Sequence, residues 1–279
     1  YDDHVFVTGM ARSGTTVLLN AIYESNSFAS LTYQDMPFIL SPNLWSKINK
    51  GGFEIKKQER AHGDGIRINT SSPEAFEEVF WSTFNHKETG TVEEFNSFIS
   101  LLCKKYGMKR YLSKNNQNIR RIDFLIKNYP NSKILIPFRN PLQHSNSLFQ
   151  QHCLFNTLQK KDNFIKKYMF WIGHSEFGLD YIPFYDLELN FPECNLFNHW
   201  LEQWYLTYDN LKKYKGSSNL RFVCYEQLCS KKETFQSIID FIDVGIENKY
   251  EFRLSSKEIE FEYDTKLYQN CLNVYEDLK

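Results

Sequence analysis

Short apolar runs alternate along the chain with longer segments in which apolar residues recur every three or four positions. The runs have the length of buried strands, whereas the longer segments have the period of amphipathic helices. The clearest runs cover residues 4–7, 28–33, 133–138 and 220–224. This alternation predicts an α/β fold of three layers, in which helices cover both faces of a central parallel sheet.

Helix start signals mark several of the longer segments. Ser72 and Pro73 are an N-cap and a first-turn proline for a helix that we expect to reach residue 81, and residues 91–94 form a capping box for the next helix. Residues 247–279 predict one or two peripheral helices. Because no repeat or low-complexity linker interrupts the pattern, we expect one domain over residues 1–279.

Charge and composition narrow the classes of function. The formal net charge of the 279 residues is −1, which argues against nonspecific binding to nucleic acid or to anionic membranes as the main task. No apolar run approaches the roughly 18 residues of a membrane span. The six cysteines show no C-x-x-C pair. We therefore expect a cytoplasmic protein with reduced thiols, in which any basic site is local.

The segment between the first predicted strand and the first predicted helix contains two glycines separated by four residues. It reads Gly9-Met10-Ala11-Arg12-Ser13-Gly14-Thr15-Thr16. Glycines at this spacing let successive backbone N–H groups converge on an anion, and the positive end of the following helix strengthens the site. The spacing is that of a phosphate-binding loop, but Thr15 replaces the lysine that reaches the β- and γ-phosphates of a nucleoside triphosphate. Arg12 instead places a cation inside the loop, so the sequence favours a phosphate-bearing ligand over ATP or GTP hydrolysis.

The sequence R-S-G-T-T at residues 12–16 resembles the 5′-phosphosulfate loop of sulfotransferases that use 3′-phosphoadenosine 5′-phosphosulfate (PAPS). Many members of that family have lysine where this chain has Arg12. The resemblance implies a P-loop NTPase-like sulfotransferase architecture, PAPS as the cofactor and adenosine 3′,5′-bisphosphate as its product. It also implies that the 5′ side of the cofactor is bound by Gly9, Ala11, Arg12, Ser13, Gly14, Thr15 and Thr16. The alternative is a tight strand-to-helix turn without a ligand.

A second motif follows the predicted strand at residues 133–138. Arg139, Asn140 and Pro141 come directly after that strand, and Ser147 lies eight residues beyond Arg139. This pattern resembles the second sulfotransferase motif, in which an arginine and a serine bind the 3′-phosphate of PAPS. The chemistry agrees with that role, because arginine offers a bidentate fork to phosphate and the hydroxyl adds a donor.

Two further segments resemble parts of the same family. Lys114 ends a strand-like segment in a context similar to that of a lysine that touches the sulfate-bearing bridge in tyrosylprotein sulfotransferases and their bacterial relatives. Residues 225–228 resemble the segment that closes the sulfotransferase sheet. The tail lacks the R-K-G-x-x-G segment of the cytosolic small-molecule enzymes. The resemblance is therefore nearer to the tyrosyl-type and bacterial carbohydrate-type branch.

Sulfuryl transfer needs charge stabilisation and a base for the acceptor hydroxyl, and it needs no metal when cations stabilise the charge. Arg12 and Lys114 are the predicted cations. Asp35 is the predicted base, because it follows the second predicted strand, where tyrosyl-type relatives place a glutamate. His62 is the second candidate, since its ordinary pKa lies near neutrality. A structural aspartate at the end of a strand is the alternative for Asp35.

These observations predict a sulfotransferase that moves the sulfuryl group of PAPS to an acceptor hydroxyl, which we expect to belong to a carbohydrate. The rival functions are a small-molecule kinase with a phosphate-binding loop and a non-catalytic protein that binds PAPS. Residues 160–194 are rich in aromatic side chains, which form either a wall of the acceptor cleft or ordinary core.

Overall fold

The computed structural model describes residues 3–49, 58–59, 65–84, 91–185, 188–245, 250–254 and 257–279. The strands are β1 (Val5–Val7), β2 (Phe28–Ala29), β3 (Gln58–Glu59), β4 (Arg67–Ile68), β5 (Arg110–Lys114), β6 (Lys133–Phe138) and β7 (Leu220–Cys224). The α-helices are α1 (Thr15–Tyr23), α2 (Pro42–Ile48), α3 (Glu78–Phe84), α4 (Thr91–Tyr106), α5 (Ile122–Asn128), α6 (Pro141–Lys161), α7 (Asn163–Trp171), α8 (Phe197–Leu211), α9 (Tyr225–Ser230), α10 (Lys232–Phe241) and α11 (Thr265–Leu278). No helix in these ranges is long and apolar enough to cross a membrane.

Five strands form a parallel sheet in the order β2-β5-β1-β6-β7. The central strand β1 pairs with β5 on one side and β6 on the other, so that Val7 lies opposite both Lys114 and Leu135. The residues of β1 are completely buried, as expected for a strand that is covered on both faces. The predicted α/β fold with a central parallel sheet is confirmed.

Alternate residues of β1 face two different apolar clusters. Phe6 points into a cluster that includes Phe95 of α4 and Tyr111 of β5, with ring centroids 6.4 Å apart in both pairs. Val5 and Val7 point into the opposite cluster, which is built mainly from α1 and α10. The period of two along the strand thus produces the two helical layers.

Two predicted elements end or begin at different residues in the structure. Strand β2 stops at Ala29, because Thr32 caps a 3₁₀ turn at Tyr33–Asp35. The helix predicted from Pro73 is wrong at its start, since α3 begins at Glu78. The backbone before α3 instead runs beside residues 31–32, where Glu74 N donates to Leu31 O at 2.9 Å. That pairing places Glu74 beside Leu31, two residues beyond the end of β2.

Candidate active site

The loop between β1 and α1 has a backbone that requires glycine at two positions. Gly9 and Gly14 have φ angles of 152° and 103°, and a Cβ on Gly14 would lie 2.5 Å from the ring of Tyr225. A Cβ on Gly9 would lie 3.0 Å from the carbonyl oxygen of Pro137. Any larger residue at Gly14 would therefore meet both backbone strain and a ring.

A buried histidine forms a hydrogen bond with the backbone of this loop. His144 Nε2 lies 2.7 Å from the carbonyl oxygen of Ala11. Because a carbonyl oxygen only accepts hydrogen bonds, Nε2 carries the proton and donates it. Burial, helped by the nearby charges of Arg139 and Arg12, lowers the pKa of His144 to about 3. His144 is therefore a neutral donor. Sequence reasoning missed it, although it lies on the same helix as Ser147.

The two predicted phosphate motifs meet in the structure. Arg12 Nε donates to Ser147 Oγ at 3.1 Å, and Arg139 Nη1 donates to the carbonyl oxygen of Arg12 at 3.3 Å. The guanidinium of Arg139 also lies over the ring of Tyr225, 5.2 Å from its centroid. Residues 135 positions apart in the sequence thus share one site.

The residues after Arg139 explain how its motif is oriented. Asn140 is the N-cap of α6, and its side chain accepts a hydrogen bond from Gln143 N at 3.2 Å. Pro141 occupies the first turn, as its fixed φ favours. Glu226 accepts a hydrogen bond from Asn140 N at 2.9 Å. The Tyr225-Glu226 pair at the start of α9 therefore fixes the second motif.

A cavity of about 590 Å³ lies where the two motifs meet. Four cationic side chains contribute to its wall, and no carboxylate does among the described residues that line it. The cations are Arg12, Arg139, Arg253 and Lys257. Such a wall favours an anion with more than one charge.

Two buried amides of α6 also line this cavity. Asn146 and Gln151 are each 4% exposed, yet Asn146 Oδ1 and Gln151 Nε2 have no hydrogen-bond partner among the described residues. A buried polar atom without a partner is costly, so these two amides are suited to a polar ligand. Sequence reasoning missed both, although Asn146 directly precedes Ser147.

A second cavity of about 280 Å³ adjoins the first. The two cavities share Arg12, Thr15 and Thr16, which form the wall between them. Lys114 lines the second cavity from the end of β5 and is 7% exposed. The remaining wall is mostly apolar and comes from α6, α7 and the residues after them, including Phe155, Leu158, Ile165, Tyr168, Met169 and Phe177. Aromatic residues 160–194 therefore contribute both to the core and to this wall.

Two buried carboxylates line the second cavity. Glu176 Oε1 accepts a hydrogen bond from Asn116 Nδ2 at 3.3 Å, and Asn116 Oδ1 accepts one from Thr15 Oγ1 at 3.4 Å. The side chain of Asn116 thus links Glu176 to Thr15, the first residue of α1. Both oxygens of Glu74 accept hydrogen bonds, from Tyr33 Oη at 3.1 Å and from Ala75 N at 2.9 Å. Neither glutamate carries a sequence signal, because each reaches the cavity through tertiary packing.

Asp35 lies elsewhere, and the structure corrects its expected position. Its carboxylate is completely buried and accepts hydrogen bonds from Lys105 Nζ at 2.5 Å, Tyr106 Oη at 2.8 Å and Thr32 N at 2.7 Å. Asp35 lines neither cavity. These contacts favour the structural alternative and do not fit a base that faces the acceptor. The second candidate, His62, lies outside the described residues.

The remaining residues of the predicted 5′ site differ in which cavity they line. Gly14, Thr15 and Thr16 line the larger cavity, and Ala11 lines the smaller one. The side chain of Ser13 is completely buried and lines neither cavity.

Comparison with known proteins gives one family and several structures. A family model described as "Sulfotransferase family" matches residues 4–172. None of the curated proteins matches the sequence significantly. The sulfotransferase STF1 from Mycobacterium tuberculosis H37Rv superposes with a TM-score of 0.52 at 12% identity, over 88% of this chain and 68% of that one. This likeness is one of fold.

Two further sulfotransferase structures superpose less closely. A sulfotransferase from Alicyclobacillus acidocaldarius has a TM-score of 0.44 at 12% identity, over 99% of this chain and 92% of that one. Mouse sulfotransferase SULT7A1 complexed with PAP has a TM-score of 0.36 at 11% identity, over 100% of this chain and 64% of that one.

Proposed function

Because the chain belongs to the sulfotransferase family, we propose that it transfers the sulfuryl group of PAPS to a hydroxyl group of a carbohydrate acceptor. The observation that carries this proposal is the contact between Arg12 and Ser147, which joins the two phosphate motifs at one cationic cavity. The nearer resemblance to the bacterial carbohydrate-type branch supports the choice of acceptor. When bound, PAPS would supply an activated sulfuryl group.

Residues of both predicted phosphate motifs line the larger cavity, which supports a ligand with two separate phosphate-bearing positions. The backbone N–H groups of the loop and the start of α1 would bind the 5′ side, together with Arg12. Arg139 and Ser147 would bind the 3′-phosphate. Asn146 Oδ1 and Gln151 Nε2 would hydrogen-bond polar groups of the nucleoside, since these two buried atoms have no other partner among the described residues.

Arg12 and Lys114 would stabilise the charge that develops during transfer. Arg12 lies in the wall between the cavities, and Lys114 lines the acceptor side. Transfer of the sulfuryl group to the acceptor oxygen would release adenosine 3′,5′-bisphosphate with added negative charge. Arg12 and Lys114 would stabilise that growing charge, and so the transition state more than the ground state.

Glu176 is the carboxylate that fits the role of base best. It lies in the same cavity as Lys114, and Asn116 Nδ2 orients its Oε1 while no hydrogen bond from the described residues occupies Oε2. Glu74 lies in the same cavity, but both of its oxygens already accept hydrogen bonds. Glu176 would take the proton of the acceptor hydroxyl as the new bond forms. His62 remains a candidate and Asp35 a weaker one.

A cytoplasmic location belongs to the same proposal. All six cysteines are free thiols, as expected in a reducing compartment. Fractionation of the producing cells tests this part.

The deciding experiment compares ligands by thermal shift. Adenosine 3′,5′-bisphosphate is expected to stabilise the protein by roughly 2.7 kcal/mol at about 100 times its dissociation constant. ADP and magnesium-ATP are expected to stabilise it far less, because neither carries a 3′-phosphate for Arg139. Arg139→Ala is expected to shrink the difference. Equal stabilisation by magnesium-ATP that survives Arg139→Ala would favour the small-molecule kinase.

Turnover separates an enzyme from a protein that only binds PAPS. A panel of carbohydrate, phenolic and aliphatic hydroxyl compounds, each incubated with labelled PAPS, is expected to show transfer to a carbohydrate. Bisphosphate binding without transfer to any acceptor would favour the non-catalytic alternative.

A further inference from the structure

The outward face of α7 carries three large aromatic side chains in a nine-residue helix. Phe164, Phe170 and Trp171 are 61%, 75% and 58% exposed. Single exposed apolar residues are normal on protein surfaces, but three on one short helix form a patch that needs a partner. Met169 of the same helix and Ile172, which follows it, are buried and line the second cavity.

Four lysines lie on this helix or at the end of the preceding one. Lys160 and Lys161 end α6, and Lys166 and Lys167 lie on α7 itself. Only Lys166 has an acidic partner among the described residues, Asp180 at 3.0 Å. The protein as a whole has a net charge of −1, whereas residues 160–167 hold four lysines and one aspartate, Asp162, which leaves a local excess of three positive charges.

We propose that this face, defined by Phe164, Phe170, Trp171 and the four lysines, docks on the surface of an anionic lipid bilayer. Short helices that lie in the headgroup region combine bulky apolar side chains with lysines, because the apolar groups enter the interface while the ammonium groups meet lipid phosphates. Charge complementarity favours this occupant over a second copy of the chain, since two such faces would repel each other. A nine-residue helix gives weak, reversible and salt-sensitive binding.

The position of the face connects membrane docking to the proposed reaction. Phe164 belongs to the face and also lines the second cavity, the proposed acceptor site, together with Tyr168. The rings of Phe164 and Tyr168 stack with their centroids 6.1 Å apart. The cavity therefore opens at the edge of the docked surface. An acceptor whose hydroxyl is carried by a membrane lipid would reach the cavity directly. This use rests on the proposed sulfuryl transfer, whereas docking itself does not.

Vesicle flotation of the full chain tests the docking without PAPS or an acceptor. The protein is expected to float with vesicles of phosphatidylserine and phosphatidylcholine, to bind vesicles of phosphatidylcholine alone at least about tenfold more weakly, and to lose binding as salt rises. Equal binding to both vesicles, or no binding to either, overturns the proposal.

Two surface variants locate the docking face. Phe170→Ser/Trp171→Ser and Lys160→Glu/Lys167→Glu are each expected to weaken binding to the anionic vesicles by about tenfold or more. Leu44→Ser/Ile48→Ser removes two side chains that are 60% and 67% exposed on α2, and Lys231→Glu/Lys232→Glu makes the same charge change near α10. These controls are expected to bind as the unmodified protein does. Equal losses in the control variants overturn the assignment of the face.

Two further measurements separate the possible failures. Sedimentation without lipid is expected to show no dimer that depends on Phe170 and Trp171, and such a dimer would identify a second copy as the occupant and overturn the proposal. Stabilisation by adenosine 3′,5′-bisphosphate is expected to be unchanged in the α7 variants, which shows that they fold. Docking without turnover on any acceptor would refute the transferase and leave the docking intact.

Discussion

Lys105 Nζ lies 2.5 Å from Asp35 Oδ1, in an ion pair whose carboxylate is completely buried. Removing one partner of a buried pair leaves the other charge without compensation, at a cost of about 3 kcal/mol or more. We expect Asp35→Asn to lower the free energy of unfolding by about that amount, as measured by urea denaturation. Bisphosphate binding by the folded fraction is expected to persist.

A matched double variant checks the reason. Asp35→Asn/Lys105→Met removes both charges and is expected to recover part of the lost stability. Unchanged stability of Asp35→Asn together with lost turnover would return Asp35 to the role of base.

Glu176→Gln is expected to lower turnover by about 10²-fold or more, because the amide keeps the shape of the side chain and cannot accept the proton. Stabilisation by the bisphosphate is expected to stay the same, since Glu176 does not line the larger cavity. Glu74→Gln is the matched control and is expected to lose less. A larger loss in Glu74→Gln or His62→Ala, measured with the same acceptor, would move the base to that residue.

Gly14→Ala is expected to abolish most of the stabilisation by the bisphosphate. The new Cβ would lie 2.5 Å from the ring of Tyr225, so either the loop or the ring that contacts Arg139 must move. Gly216→Ala is the control, because Gly216 also has a positive φ, of 90°, but has open space around its Cβ position. It is expected to cost only backbone strain, about 1–2 kcal/mol, and to leave ligand binding intact. Equal thermal shifts with the ligand in both variants would contradict the packing argument.

His144 predicts a loss of stability in mild acid. Its pKa is lowered to about 3 in the folded protein. Between that value and the ordinary pKa, the unfolded chain therefore binds a proton at this histidine and the folded chain does not. The free energy of unfolding is therefore highest above the ordinary pKa of about 6.5. It falls as pH drops toward about 3, by up to 1.4 kcal/mol per pH unit.

Urea unfolding at several pH values measures this slope. His152, whose pKa is lowered to about 4, is expected to add a second proton to the same trend. His144→Gln is expected to flatten the slope by about one proton. An unchanged slope in that variant would show that His144 titrates normally.

The sequence predicted best the strands that are short, mostly apolar runs. Strands β6 and β7 match their predicted bounds, and most of their residues are buried between the helical layers. The helix predicted at Pro73 failed because a local cap signal cannot show that residues 73–74 pair with residues 31–32. The conformation of the segment before α3 was therefore set by tertiary pairing and not by its local sequence.

The same limit applies to the candidate site. The loop and the arginine motif are contiguous in sequence, so their residue types and spacing were visible. His144 and Glu176 act through contacts with residues about 133 and 60 positions away, which a local pattern does not encode. Asp35 was misplaced because the expected strand ends early in a capped turn.

The contacts of the first loop also constrain the order in which the chain can fold. The partners of strand β1 are β5 and β6, which follow it by more than 100 residues. The ring beside Gly14 belongs to Tyr225. Such distant pairings give a high contact order, which slows folding because large loops must close first. During synthesis, the loop between β1 and α1 therefore leaves the ribosome about 210 residues before Tyr225 and acquires its final shape only after that residue has followed.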